Sequence, residues 1–164
     1  MRLKPAYFDA ENNLANTLLA LGRPGEALPH LERALQLAPY SLPVQINIGR
    51  ALTALGRYPE AVVHLETALR LKPTSADAHN SIGTLLLKQG KVSRALEHFT
   101  LALQFNPRLV SARQNLARAL MAAGQVTNAV AAAQQAETLA LAQGQTNAAI
   151  QAHKLLQSYR AGQP

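Results

Sequence analysis

The chain has 164 residues, no cysteine and a formal net charge of +7 at pH 7, and it is 48% hydrophobic but only 4% aromatic. Without cysteine it can form neither a disulfide scaffold nor a thiolate metal site, and its core must be built mainly from Leu and Ala. No apolar run approaches the ~18 residues that a membrane-spanning helix needs, so membrane insertion is not expected.

Apolar residues recur at spacings of three and four along most of the chain, which is the pattern of amphipathic helices. Gly and Pro separate these runs. The pattern predicts four helix pairs over 8–21 and 24–37, 42–55 and 58–71, 76–89 and 92–105, and 110–123 and 126–142. A ninth helix is predicted over 146–160, where Ala, Leu and Tyr residues form one stripe.

The helix pairs repeat with a period of about 34 residues. Several columns of equal or similar residues keep this spacing: Gly22, Gly56, Gly90 and Gly124; Ala27, Ala61, Ala95 and Ala129; Leu18, Leu52, Leu86 and Leu120; Ala15, Gly49, Gly83 and Ala117; and Pro39, Pro73 and Pro107. A fixed period of this length, with two helices in each unit, predicts a helical solenoid.

These columns resemble the tetratricopeptide repeat, whose unit has small residues at positions 8, 20 and 27 and Pro at position 32. The resemblance implies an all-α, right-handed α-solenoid of four helix-turn-helix repeats plus a C-terminal capping helix. The repeats are 8–41, 42–75, 76–109 and 110–143, and residues 144–164 form the capping helix and a frayed C-terminus.

The sequence departs from the family pattern at three points, one of which is Leu in place of the frequent Tyr at position 11. Leu141 stands where Pro is expected in the fourth repeat, so the second helix there is expected to run on toward Gln143. Position 4, often Trp in the family, is polar in every repeat: Glu11, Gln45, His79 and Arg113.

Residues 2–5 repeat the sequence of residues 70–73, and Pro5 stands one full period before Pro39. We interpret residues 1–7 as the tail of a truncated preceding repeat; the alternative is a natural start that happens to match. Either way no capping helix precedes Phe8, although solenoids usually need terminal caps. Self-association through this uncapped N-terminal face is therefore an expectation.

Catalytic motifs are not found in the sequence, which has no nucleotide-binding Gly loop, zinc-protease helix motif or nucleophile elbow. His30, His64 and His98 occupy the same position in three successive repeats. We interpret them as a repeat column rather than a metal site, because side chains a helix diameter or more apart do not readily converge on one ion. The prediction is that the chain is not an enzyme and needs no cofactor or metal.

The family resemblance places the candidate binding surface on the first helix of each repeat, which lines a concave groove in that family. Asn recurs there although it is a mediocre helix former, and a carboxamide can both donate and accept hydrogen bonds to a peptide backbone. The predicted partner-binding residues are Asn12, Asn13, Asn16, Asn47, Arg50, Asn80, Ser81, Thr84, Lys88, Asn115 and Arg118.

Asn13, Asn47 and Asn115 resemble the asparagine ladder of the O-linked N-acetylglucosamine transferases, which implies a grip on substrate polypeptide backbone; Ser81 interrupts the ladder. The alternative is that these asparagines only solvate an exposed helix face. The two-carboxylate clamp that binds chaperone C-termini in this family is not expected, because Asn12, Asp77 and Ser81 occupy its cationic positions.

We therefore predict a protein–protein interaction module that binds an extended peptide segment in its groove; the alternative is a substrate-recruiting region of a larger enzyme, such as a bacterial glycosyltransferase. The net charge rises from −2 over 8–41 to +3 over 110–164, which favours an acidic partner. Nucleic acid is not expected, since Lys and Arg are not clustered and aromatic residues are nearly absent from the first helices. The sequence indicates no compartment, and a soluble, cytoplasmic protein is the default expectation.

Overall fold

The computed structural model describes residues 5–162, which contain nine α-helices and no strand. The helices are α1 Pro5–Ala20, α2 Pro24–Leu37, α3 Leu42–Ala54, α4 Tyr58–Leu71, α5 Ala76–Lys88, α6 Val92–Phe105, α7 Val110–Ala122, α8 Val126–Ala142 and α9 Thr146–Arg160. We call α1, α3, α5 and α7 the first helices, and α2, α4, α6 and α8 the second helices. Every predicted helix is present. None of the helices in the described residues is long and apolar enough to cross a membrane.

The start of α1 is the bound that differs most from the prediction. The helix begins at Pro5 rather than Phe8, and Pro is tolerated at the first helical position because its missing N–H would have no helical partner there. Pro39, at the equivalent position one repeat later, lies instead in a turn. Of the predicted repeat tail over 1–7, residues 1–4 lie outside the described residues and Pro5–Tyr7 belong to α1.

Glycine ends the first helix of each pair in a left-handed conformation. At the end of α3, Gly56 has φ +76°, and the N–H of Arg57 donates to the carbonyl of Leu52 at 2.9 Å. The N–H of Gly56 donates to the carbonyl of Thr53 at 3.3 Å. This double closure is the Schellman motif, which needs a residue without a Cβ penalty at positive φ. It explains why the glycine column recurs once in every repeat.

The chain divides into two compact units, one ending at Ser81 and the other beginning at Ile82, so that α5 lies across the division. In the first unit α1 packs on α2, α2 on α3 and α3 on α4. In the second unit α6 packs on α7, α7 on α8 and α8 on α9. Consecutive helices therefore pack as neighbours, as short connections require.

The helices of a pair approach closely where a glycine on the first helix faces a large side chain on the second. A Cβ atom on Gly49 would lie 2.5 Å from Cγ of Leu65, and one on Gly83 would lie 2.5 Å from Cε1 of Phe99. Leu65 and Phe99 are both 0% exposed. These glycines are therefore required by packing, since the backbone conformation there is helical.

The last second helix is extended, as the missing Pro at Leu141 predicts. α8 has 17 residues where α2, α4 and α6 have 14. Its buried face is made of alanines, and α9 packs against it with Leu156 and Tyr159 in one cluster with Ala129 and Ala133. The ninth helix thus covers the apolar face of α8.

Replacing Gly83 with Ala should lower the free energy of unfolding by about 1–3 kcal/mol, because the added methyl group overpacks against the Phe99 ring. Ala has the higher helix propensity, so a loss of stability would isolate the packing effect. Urea unfolding followed by circular dichroism measures the change.

The matched control is Gly25→Ala on α2, where a new Cβ meets no atom within 4 Å. It should raise stability by about 0.5–1 kcal/mol. Adding Phe99→Leu to Gly83→Ala should recover part of the loss, with a coupling of at least about 0.5 kcal/mol. Additive losses in the double variant would contradict the proposed contact.

Candidate protein-interaction surface of the first helices

An asparagine on α3 links two first helices of the first unit. Asn47 is 7% exposed. Its Nδ2 donates to Oδ1 of Asn12 on α1 at 3.2 Å, and its Oδ1 accepts from Nη1 of Arg50 at 3.1 Å. Both ends of the carboxamide are therefore used within the protein, and the guanidinium of Arg50, which is exposed, is held on the same face.

The same arrangement recurs in the second unit. Asn115 lies on α7, at the position equivalent to Asn47 two repeats later. Its Nδ2 donates to Oγ1 of Thr84 on α5 at 3.2 Å, and its Oδ1 accepts from Nη1 of Arg118 at 2.8 Å. Arg118 is exposed and Asn115 is half-buried. Asn47 and Asn115 thus join neighbouring first helices and also orient an arginine three residues later.

The other predicted partner-binding residues differ in how open they are. Asn13 and Asn16 on α1 and Lys88 at the end of α5 are exposed. Ser81 is 6% exposed, and its hydroxyl donates to the carbonyl of Asp77 at 2.8 Å, a bond to the preceding helical turn. Asn80 is half-buried. The ladder residues are therefore not equivalent: Asn13 presents its carboxamide to solvent, whereas Asn47 does not.

Three of the four polar residues at position 4 of the repeats, Gln45, His79 and Arg113, have a common structural role, whereas Glu11 pairs with His30 and Arg33. Their side chains donate to the carbonyl of the proline six residues earlier. The bonds are Gln45 Nε2 to Pro39 O at 3.1 Å and Arg113 Nη2 to Pro107 O at 3.0 Å, with His79 Nε2 and Pro73 O 3.0 Å apart. These side chains bond to carbonyl groups of exposed prolines in the connections that enter α3, α5 and α7.

Two histidines of the repeat column, His30 and His64, pair with position 4 of their own helix pair. His30 Nδ1 lies 2.5 Å from Oε2 of Glu11, and His64 Nδ1 lies 2.8 Å from Oε1 of Gln45. Burial lowers the pKa of His64, which favours its neutral form. Among the described residues, no three His, Asp or Glu side chains converge as metal ligands would.

Glu11 is a buried carboxylate held by two second-helix side chains. It is 6% exposed, and Arg33 Nη1 donates to its Oε1 at 3.1 Å. The hydrogen bond with His30 lowers the pKa of Glu11 below its usual range, although burial acts in the opposite direction. The carboxylate form is therefore the one that the folded state prefers.

Glu11→Gln should destabilise the chain at pH 7, and the difference from the native chain should shrink as the pH falls toward about 3. A group whose folded pKa is lowered stabilises the fold above its unfolded pKa, about 4.3, and this stabilisation is lost as the pH falls through the folded pKa. Urea unfolding at several pH values measures it. Glu66→Gln, at an exposed position on α4, is the control and should change stability little. A difference between native and Glu11→Gln that stays constant over this range would contradict the assignment.

Comparison with known families gives two matches to the tetratricopeptide repeat, over residues 18–84 and 76–109. Together they span more than half of the chain. A comparison with curated protein sequences gives no significant match. The family assignment therefore rests on the repeat models and on the fold.

Solved structures show the same fold. A thermophilic TPR protein of Thermus thermophilus has a TM-score of 0.74 and 20% identity, covering 91% of this chain and 89% of that chain. The TPR2B domain of yeast Sti1, in a complex with pHsp70, has a TM-score of 0.65 and 18% identity, covering 70% and 92%.

An O-GlcNAc transferase mutant of Thermobaculum terrenum has a TM-score of 0.67 and 26% identity, covering 73% of this chain but only 23% of the transferase. The chain therefore corresponds to about a quarter of that enzyme. The matches to the repeat models indicate no catalytic family. The chain belongs to the tetratricopeptide repeat family, and its fold is the all-α solenoid of a protein-interaction module.

Proposed function

We propose that the chain binds an extended segment of a partner protein across the exposed polar residues of its first helices. The observation that carries this proposal is the repeated Asn–Arg pair, Asn47 with Arg50 and Asn115 with Arg118, which holds an exposed guanidinium on the first-helix face in both units. An ordered side chain loses less conformational entropy when a partner binds.

The exposed asparagines of α1 supply the second part of the surface. The Asn13 and Asn16 side chains make no hydrogen bond to other residues of the described part of the chain. A carboxamide offers two donors and one acceptor, so it can bond to peptide N–H and C=O groups whatever the partner's sequence. The first unit thus offers backbone binding at Asn13 and Asn16 with a charged contact at Arg50, and the second unit offers charged contacts at Lys88 and Arg118.

The comparisons support a peptide ligand at the level of the fold. The yeast Sti1 domain was solved as a complex with pHsp70. A substrate-recruiting region of a larger enzyme is the second candidate, favoured by the 26% identity to part of the Thermobaculum transferase. The coding sequence on either side of this segment distinguishes the two, since a glycosyltransferase domain there would decide for the second.

The proposal predicts that first-helix substitutions abolish partner capture. We would compare the native chain with the variant Asn13→Ala, Arg50→Ala, Arg118→Ala in pull-downs from source-cell lysate, analysed by mass spectrometry. All three side chains are exposed, so the variant should keep its helicity and melting temperature. Partners specific to the native chain should fall at least about tenfold in the variant, which corresponds to about 1.4 kcal/mol.

The chain offers a matched control on its second helices. Gln36→Ala, Arg70→Ala, Arg94→Ala also removes one carboxamide and two guanidinium groups, all exposed on α2, α4 and α6. This variant should retain the partners. If both variants lost the partners equally, binding would depend on net charge rather than on the first helices. If both variants retained the partners equally, the binding site would lie outside the first-helix residues that were replaced.

Self-association through α1 remains a separate prediction. Leu14 is 46% exposed and Leu21 is 64% exposed, and apolar side chains of this size gain about 1.5–3 kcal/mol when fully buried. Light scattering should show a dimer in the native chain and a monomer for Leu14→Gln with Leu21→Gln. A monomeric native chain at high concentration would remove the prediction.

A further inference from the structure

The arginines of the first unit are of two kinds. Arg23 and Arg57 each donate two hydrogen bonds of 2.6–2.7 Å to a glutamate three residues later, Glu26 and Glu60. Their charges are neutralised. Arg50 and Arg70, by contrast, each donate one hydrogen bond within the described residues to a neutral acceptor three residues earlier, Oδ1 of Asn47 and Oγ1 of Thr67, and form no ion pair there. Of these two arginines, Arg50 lies on a first helix.

Arg118 repeats this state in the second unit. Its hydrogen bond goes to the neutral oxygen of Asn115, and within the described residues it forms no ion pair. A guanidinium has five N–H donors in a planar fork. One hydrogen bond to an amide oxygen orients the fork and leaves other donors open, in the geometry that two carboxylate oxygens accept.

Charge is concentrated where Arg118 lies. From Ile82 onward the sequence has eight Lys and Arg residues but only two acidic ones, Glu97 and Glu137. Burial raises the pKa of Tyr159 on α9, and the charge of Arg118 partly opposes this. A segment of the partner that carries negative charge would be attracted to this unit.

We propose that Arg50 and Arg118, each oriented by the asparagine three residues before it, are two equivalent carboxylate-binding points, and that the partner segment is acidic. This inference rests on the proposed function and adds the chemistry of the ligand. The carboxylates belong to Asp or Glu side chains or to a chain terminus.

A peptide fits the surroundings better than a nucleic acid. Single-stranded nucleic acid is bound through aromatic side chains on which its bases stack. Neither α3 nor α7, the helices that carry Arg50 and Arg118, contains an aromatic residue. Both helices instead carry amide side chains beside the arginine, which suit a peptide backbone.

The test uses a fluorescent peptide of about ten residues that alternates Glu and Gly, and a peptide of the same length with Gln in place of Glu. Fluorescence anisotropy at low salt should show binding of the Glu peptide at least about tenfold tighter than that of the Gln peptide, falling as salt screens the charges. Replacing Arg118 with Gln should weaken Glu-peptide binding about fivefold, and Arg50→Gln should do the same.

Arg94→Gln is the matched control for Arg118→Gln. Both arginines are exposed and belong to the second unit, but Arg94 lies on a second helix and Arg118 on a first helix. Arg94→Gln should leave binding within about twofold of the native value. Asn115→Asp tests whether the open charge of Arg118 is needed, since a carboxylate there pairs with Arg118 across three helical residues and neutralises it. This variant should lose as much Glu-peptide affinity as Arg118→Gln while keeping its helicity.

Three outcomes would overturn the inference: equal affinity for the Glu and Gln peptides, equal loss in Arg94→Gln and Arg118→Gln, or tighter binding of oligothymidylate that displaces the Glu peptide. The broader proposal is judged separately by partner capture. If the first-helix variant loses its partners while the native chain does not prefer Glu over Gln, the interaction surface stands and the carboxylate assignment falls.

Discussion

Close contact between the two helices of each pair is the constraint on which the remaining structure depends. Phe99 lies over Gly83 so tightly that one added carbon would clash at 2.5 Å, whereas Ala117 and Ala133, at the equivalent positions of the next repeat, lie in one buried cluster with Leu156 and Tyr159. A glycine facing a large side chain in one repeat is thus replaced by two alanines in the next. A core with 4% aromatic residues can still be dense, because its helices come close enough for Ala to fill the space.

This packing leaves polar side chains to secure the connections between helices. Carbonyl groups at the exposed prolines that precede α3 and α7 accept hydrogen bonds from Gln45 and Arg113. Trp, which the family often has at this position, has a single indole donor, whereas Gln, His and Arg can reach the carbonyl and a second-helix side chain together. The polar column therefore replaces apolar area with hydrogen bonds, which Gln45 and Arg113 make both to the proline carbonyl and to a second-helix side chain. These hydrogen bonds fix α3 and α7 both to the connection that precedes each helix and to the second helix of the same pair.

Periodicity in the sequence was sufficient to predict the helices, because spacings of three and four and the Gly and Pro columns depend on local backbone geometry. It also predicted the long α8 from Leu141 alone. It did not predict the start of α1, since Pro5 can begin a helix as well as follow one. Nor did it pair Glu11 with His30, although Gln45 and His64 show the same separation of 19 residues. That repeated separation was the available signal, but a column of histidines alone does not say which helix face each one meets.

The asparagine column shows why residue identity did not determine the candidate site. Asn13 and Asn47 occupy the same repeat position, yet Asn13 is exposed whereas Asn47 is 7% exposed and bonded at both ends. The difference comes from a neighbour: Asn47 has a preceding first helix, whose Asn12 accepts its N–H group, and an arginine three residues later. Asn115 has both partners too, with Thr84 in place of Asn12. An asparagine with these neighbours orients a cation, and one without them offers its own carboxamide. Two neighbours therefore set the chemistry of such an asparagine: the residue three positions later on the same helix, and a side chain on the first helix of the preceding repeat.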